Sequence, residues 1–186
     1  MHSMEPQNRL EPVEIVAGRF RLRPPSLREA DDILKLADDP ATRLWSPFRD
    51  VADLDGAREF CRKWSDWSGG NAAFFLVFDA TEGRTQGMVT LHHVDPRDQS
   101  AEIGFITAPW ARGHGVATTA VGPVLQWAFD SLDLVRIVLL HAVGNAPSCR
   151  VADRLGFRLE GETRSSHRYG DGELHNEHLH SRLVTD

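Results

Sequence analysis

Cysteine is scarce in this chain, with two among 186 residues, Cys61 and Cys149. That is too few for a disulfide framework, and their spacing is not that of a metal-binding pair. No run approaches the roughly 18 consecutive apolar residues that a membrane-spanning helix needs, so a membrane is not expected as a partner. The opening Met-His-Ser-Met-Glu-Pro-Gln-Asn lacks the apolar core of a secretory signal, and residues 1–12 read as a flexible N-terminal extension. Positive charge is also in deficit: 21 Lys and Arg face 27 Asp and Glu, for a net charge of −6. A protein that grips nucleic acid by neutralising phosphates carries the opposite balance, so nucleic acid is not an expected partner either. A reducing, cytoplasmic location is the default.

What remains is an ordinary globular composition, 41% apolar and 26% charged, and residues 13–186 are read as a single domain. Residues 13–23 alternate in their later half, Phe20 and Leu22 against Arg19, Arg21 and Arg23, which predicts a half-buried strand ended by Pro24-Pro25. Ser26 with Glu29 three residues on is a capping-box signature. It opens a helix carrying Ala30, Ile33, Leu34 and Ala37 and closed by Asp39-Pro40. Residues 42–50 read as an irregular loop and 53–67 as a second helix. Strands are predicted at 72–78, 86–94 and 100–107, then a helix from Val116. A strand at 135–142 has the near-continuous apolar character of one buried on both faces. A short helix over 146–155 ends at Gly156, and strands at 157–160 and 174–183 finish the chain. The order β α α β β β α β α β β implies an α/β fold on one mixed sheet. Pro123 breaks a local rule inside its helix, where it costs about 3 kcal/mol unless the helix kinks.

The chemistry concentrates in Arg112-Gly113-His114-Gly115-Val116-Ala117, set between a strand and a helix. Glycines there permit backbone angles closed to other residues and let the main chain approach a ligand. The following helix presents unpaired N–H groups and the positive end of its dipole, which suits a pyrophosphate. A dinucleotide fingerprint would need a third glycine at the position of Thr118, and the Gly-Lys-Ser/Thr of a P-loop is missing. A plain Gly-rich turn is the bland alternative.

The same hexapeptide resembles the Arg/Gln-x-x-Gly-x-Gly/Ala signature of the GNAT-type N-acetyltransferases. Ala101-Glu102-Ile103-Gly104-Phe105 looks like the strand that enters that signature, and Asn145-Ala146-Pro147-Ser148 with Leu155-Gly156-Phe157-Arg158-Leu159-Glu160-Gly161 resembles the next block. Phe20-Arg21-Leu22-Arg23-Pro24 and Asp171-Gly172-Glu173 are similar to the RimJ/RimL-like branch, which acetylates ribosomal-protein N-termini. The resemblance implies a mostly antiparallel mixed sheet, splayed at the cofactor site and flanked by helices on both faces. It implies acetyl-CoA as cosubstrate. Backbone groups of Phe105, Ile106 and Thr107 would bond the pantetheine amides. The N–H groups of Arg112, Gly113, His114, Gly115, Val116 and Ala117 would hold the pyrophosphate, and Asn145 would reach the pantetheine arm.

Acetyl transfer to an amine requires proton removal from the ammonium and a partner for the departing thiolate. Glu102 is the candidate base, with a rim carboxylate that only attracts cations as the alternative. The leaving-group acid of many relatives is a Tyr just past the Asn, and this chain has a single Tyr, Tyr169, beyond the next strand. Ser148 is the substitute that the RimL-like proteins imply; otherwise it is a first-turn capping residue. Cys149 reads as a small buried residue. His178 and His180 share a strand face without a third ligand, so they read as surface residues, His92-His93 likewise, and no metal is expected. Trp45, Phe48, Trp64 and Trp67 line an acceptor cleft or pack in the core. The acceptor is a primary amine, either a protein N-terminal α-amine or a small amine such as an amino acid, polyamine or antibiotic. A CoA-binding sensor without turnover is the reading from another class, and a homodimer stays open.

Overall fold

A computed structural model describes residues 10–46, 48 and 51–186, so most of the expected N-terminal extension lies outside the described residues. Leu10, by contrast, is buried in the core. The first half comprises β1 (Ile15–Ala17), β2 (Phe20–Arg23), α1 (Ala30–Asp38), α2 (Pro40–Trp45), α3 (Leu54–Ser65), β3 (Ala72–Asp79) and β4 (Arg84–Asp95). The second comprises β5 (Ser100–Thr107), α4 (Val116–Ser131), β6 (Arg136–Ala142), α5 (Ala146–Arg154), β7 (Arg158–Arg168) and β8 (Leu174–Leu183). Short 3-10 turns at Leu27–Glu29 and Pro109–Ala111 precede α1 and the glycine-rich turn.

All eight strands join one sheet in the order β1-β2-β3-β4-β5-β6-β8-β7. Only the β5–β6 pair is parallel. Successive residues of β3 point to opposite faces, and their aromatic partners show what covers each. Phe74 packs on Phe60 and Trp64 of α3, each with ring centroids 5.2 Å away. Phe75 meets Trp67 at 4.8 Å and Trp127 of α4 at 5.4 Å. Helices therefore flank both faces, as expected. Among the described residues no helix is long and apolar enough to cross a membrane.

Four expectations are corrected. Residues 13–23 form a hairpin rather than one strand, turning at Gly18-Arg19 so that Ile15 pairs with Leu22. Asp39-Pro40 ends α1 but also starts α2 within the expected loop: the Asp39 carboxylate accepts the Thr42 N–H at 2.8 Å, and proline suits the first helical position, where no N–H is needed. β7 runs on to Arg168, because β8 pairs with it across two register shifts. β6 alternates, with Ile137, Leu139 and His141 buried and Arg136, Val138 and Leu140 half-buried, since α5 covers only one face. The helix carrying Pro123 runs unbroken through it, and the burial of Val116, Ala120, Val121, Val124, Leu125 and Ala128 offsets the lost backbone bond.

The capping box forms as the sequence implies. The carboxylate of Glu29, only 7% exposed, accepts bonds from the Ser26 N–H at 2.9 Å, the Ser26 hydroxyl at 2.8 Å and the Arg23 guanidinium at 2.8 Å. Burial pushes this carboxyl up, but the bonds from Arg23 and Ser26 outweigh it and hold it below the usual range. Its contribution is therefore complete above the unfolded value of about 4.5 and fades as pH falls below it. Glu29→Gln is expected to cost about 2 kcal/mol in urea unfolding at pH 7. The gap to wild type should close as unfolding is repeated at progressively lower pH, and a constant gap would show that the charge contributes nothing.

Candidate active site

The parallel pairing of β5 and β6 is brief. Ser100, Ala101 and Glu102 pair with Arg136, Ile137 and Val138, and there the ladder stops. β5 continues to Thr107 beside β4, while β6 continues to Ala142 beside β8. A strand turns the N–H and C=O of alternate residues to opposite neighbours. Gln99 C=O accepts from Val135 on the β6 side at 2.8 Å, and Ala108 N–H donates to Gln86 on the β4 side at 2.9 Å. Ile103, Phe105 and Thr107 consequently offer their backbone groups to the gap. Those of Ile106 are turned to β4, and its side chain lines the cleft instead. The opening widens into a cleft of about 1540 Å³.

At the wide end stands the glycine-rich turn. Gly113 and Gly115 have φ of +80° and +73°, angles that L side chains rarely adopt, and Gly115 is the N-cap of α4. No side chain caps the helix, and the first backbone bond into it is Thr119 N–H to Gly115 C=O at 3.0 Å. The N–H groups of Val116, Ala117 and Thr118 are thus left for an anion. The Arg112 guanidinium points elsewhere, pairing with Asp39 and reaching the Thr42 hydroxyl at 3.4 Å, which ties the turn to the start of α2. The bond from Arg112 holds the Asp39 carboxyl below its usual range. His114 is exposed and does not line the cleft. Arg150 and Arg154 of α5, not anticipated from sequence, line it without an acidic partner among the described residues.

Glu102 lies where the two strands part. Its carboxylate is 3.3 Å from His93 Nδ1 and 3.7 Å from His92 Nε2, so the histidine pair belongs to the cleft. Burial outweighs the opposing pull of Glu102 and keeps the His92 imidazole below its usual pKa, which favours the neutral ring. On α5 the capping residue is Asn145, whose side chain accepts the Ser148 N–H at 3.4 Å. Ser148 is not the cap. It is half-buried on the cleft lining, and its hydroxyl has no hydrogen-bond partner among the described residues.

The opposite wall was missed by sequence reasoning. Tyr169 is buried and donates its hydroxyl to Glu177 at 2.8 Å, while Ser166 donates to the same carboxylate at 2.7 Å. Burial first, and Glu177 second, push the tyrosine pKa well above its usual value. Gly170 N–H bonds Leu44 C=O at 2.9 Å, and a Cβ at Gly170 would lie 1.9 Å from the Arg43 carbonyl oxygen, so the β7–β8 turn can close on α2 only with glycine there. Trp45 meets the Tyr169 ring edge-on at 5.5 Å. Of the four aromatics considered from sequence, Trp45, Phe48 and Trp64 line the cleft, whereas Trp67 is in the core. The surface reading of the pair does not hold: His180 is 1% exposed, and His178 is half-buried with its Nδ1 enclosed. Cys149 is half-buried beside them.

Residues 19–158 match the acetyltransferase (GNAT) domain family. The chain belongs to the GNAT acetyltransferases. The chain is 37% identical over 103 residues to Bacillus subtilis YdaF, whose name assigns it provisionally as a ribosomal N-acetyltransferase; the match covers 55% of this chain and 54% of that one. It is 30% identical over 81 residues to the Escherichia coli spermidine N(1)-acetyltransferase, covering 44% of each. The matches span about half the length of these two relatives. Mycobacterium smegmatis RimJ, solved with a CoA disulfide, superposes with a TM-score of 0.81 at 25% identity, covering 96% of this chain and 88% of that one.

In this GNAT protein the empty space beside the glycine-rich turn is itself informative. A Cβ at Gly113 or Gly115 would meet nothing within 4 Å, so these glycines serve the backbone angle and leave room for a ligand. Gly115→Asp should strain the turn and place a negative charge at the helix N-terminus. Isothermal calorimetry is expected to show acetyl-CoA binding weakened by at least about a hundredfold, the worth of roughly 3 kcal/mol. Undiminished affinity in that variant would remove the turn from the site.

Proposed function

We propose that this chain transfers the acetyl group of acetyl-CoA to a primary amine, foremost a protein N-terminal α-amine. The observation that carries the reading is the free inner edge of β5, which runs from the bare N-terminus of α4 to the carboxylate of Glu102. Pantetheine amides fit the strand edge at Phe105 and Thr107, and a pyrophosphate fits the N–H groups at Val116, Ala117 and Thr118. Asn145 stands within reach of the arm, and Arg150 and Arg154 supply positive charge on the same wall. Acetyl-CoA supplies the activated acyl group. The likeness to YdaF, named for ribosomal N-acetylation, and to RimJ along nearly the whole chain supports the protein N-terminus as acceptor, and a ribosomal acceptor would put the reaction in the cytoplasm. A polyamine is the second reading, favoured by the two carboxylates, Glu102 and Glu177, that face a cleft also lined by Trp45.

The amine arrives protonated at neutral pH, so a base must act before attack. Glu102 takes that proton, directly or through water, and the nitrogen then bonds the acyl carbon as the carbon–sulfur bond breaks. Ser148, whose free hydroxyl lies on the cleft, hydrogen-bonds the departing thiolate, which takes up the surplus proton of the acylated nitrogen and leaves as CoA thiol. Tyr169 is ill suited to that role because its proton is committed to Glu177.

Release of CoA thiol across peptides with free N-termini, polyamines and amino acids is the direct test, and failure of every amine to release thiol would leave only a CoA-binding protein. Glu102→Gln keeps the shape of the site and removes the base. It is expected to lower kcat by about a hundredfold, with acetyl-CoA affinity unchanged and partial recovery at high pH, where free amine forms unaided. Ser148→Ala should cost about tenfold, as one lost hydrogen bond of about 1–1.5 kcal/mol implies. Wild-type turnover by Glu102→Gln would leave the carboxylate a role in steering cations alone.

A further inference from the structure

At the cleft wall, where His141 is a lining residue, four side chains converge from three elements. His141 of β6 stands opposite His178 of β8 in the sheet register, His180 follows two residues on, and Cys149 descends from the first turn of α5. One potential ligand atom from each lies within 4.8 Å of all the others. We infer that His141, Cys149, His178 and His180 form a binding site for a single borderline-soft divalent cation of the zinc type.

The first support is the geometry between ring nitrogens. His141 Nε2 and His180 Nε2 face each other at 3.2 Å. Two nitrogens bound to one tetrahedral zinc at about 2.0–2.1 Å lie about 3.3 Å apart. The Cys149 Sγ is 4.0 Å from His180 Nε2, a few tenths of an ångström beyond the roughly 3.6 Å of a zinc-bound sulfur and nitrogen. A half-buried thiol at a helix start can close that distance by a small side-chain rotation.

The second support is what the rings do with their other atoms. His141 Nδ1 bonds the Ala142 carbonyl at 2.9 Å, which fixes the proton on Nδ1 and turns the Nε2 lone pair inward, an arrangement typical of metal-bound imidazole. His141 is 4% and His180 1% exposed, and His178 Nδ1 is buried with no hydrogen-bond partner. A buried nitrogen with nothing to bond is costly unless something else satisfies it. The donor set of three imidazoles and one thiolate selects zinc over magnesium or calcium.

A second cluster, the three residues His92, His93 and Glu102, is the weaker candidate. His93 is 78% exposed, only three ligands converge, and the carboxylate faces the cleft. A cation at the buried cluster would clamp the first turn of α5, which carries Asn145 and Ser148, to the sheet beneath it.

The full chain, freed of metal with a chelator and kept reduced, would be titrated with zinc chloride by calorimetry and with cobalt chloride by absorption. One equivalent of zinc should bind and raise the melting temperature, and cobalt should give a thiolate charge-transfer band with intense tetrahedral d–d bands. Cys149→Ala removes a small, half-buried group, should fold as wild type by circular dichroism, and should lose the charge-transfer band with at least about a tenfold loss of zinc affinity. His180→Ala should weaken zinc as strongly, and His93→Ala should leave it unchanged. Absence of zinc binding by the full chain overturns the site. So does binding that survives Cys149→Ala, or binding that disappears only with His93→Ala.

Discussion

The end of pairing between β5 and β6 after Glu102 and Val138 is the constraint on which the rest of the structure depends. An unpaired strand edge in the middle of a sheet exposes N–H and C=O groups that elsewhere would be covered or blunted. Here the edge is kept open because each strand is fully supported on its other side, β5 by β4 and β6 by β8. Both strands run the same way, so both end at the wide mouth of the gap, and each leads into a helix whose N-terminus lies there. The glycine-rich turn follows β5 and Asn145 follows β6. Two helix starts and one open strand edge thus meet without any long-range device, as at the switch points of other open α/β sheets.

Charge is sorted across the cleft that results. Arg150 and Arg154 stand on the α5 side, while Glu102 and Glu177 belong to the strands on the other. A net negative protein can therefore present a basic wall to phosphates and an acidic wall to an amine. The acidic wall is held by contacts far apart in sequence. Tyr169 and Ser166 both donate to Glu177, and Gly170 seats the β7–β8 turn against the backbone of α2. The loop bearing the phosphate turn reaches the same α2 through Arg112 and Asp39, so α2 braces both sides of the site.

Several local signals were readable in the sequence. Ser26 and Glu29 cap each other over three residues, and Gly115 demands its own backbone angle. The splay itself is a matter of pairing between strands far apart in sequence, Ser100 with Arg136, and only the family resemblance pointed to it. α2 was hidden because Asp39-Pro40 is a stop signal for one helix and a start signal for the next. Glu177 carried no mark and Tyr169 stood out only as the single tyrosine, since the bond that joins them appears only when β7 and β8 fold together. His178 and His180 were seen to share a face, but that face reads as surface until β6 lays His141 beside it and α5 covers it with Cys149. Periodicity gives the face of a strand and is silent on what lies above it.

The two hydroxyls near the cleft illustrate how environment assigns roles that residue type alone would reverse. A phenol is intrinsically the better acid, and on residue type Tyr169 would be chosen to protonate a thiolate. Its buried bond to Glu177 stabilises the protonated form, so giving up that proton would leave a phenolate beside a carboxylate, and the pKa is driven up accordingly. Ser148 is the weaker acid but has its hydroxyl free, because Asn145 has taken over the capping of α5 and Ser148 contributes only its backbone N–H. Thiolate is a tolerable leaving group near neutral pH, since a thiol pKa lies not far above it. A donor that can turn its hydrogen to the sulfur is therefore of more use than a stronger acid that cannot. Tyr169 is then best understood as the group that holds Glu177 in place on the acidic wall, with Trp45 packed against its ring.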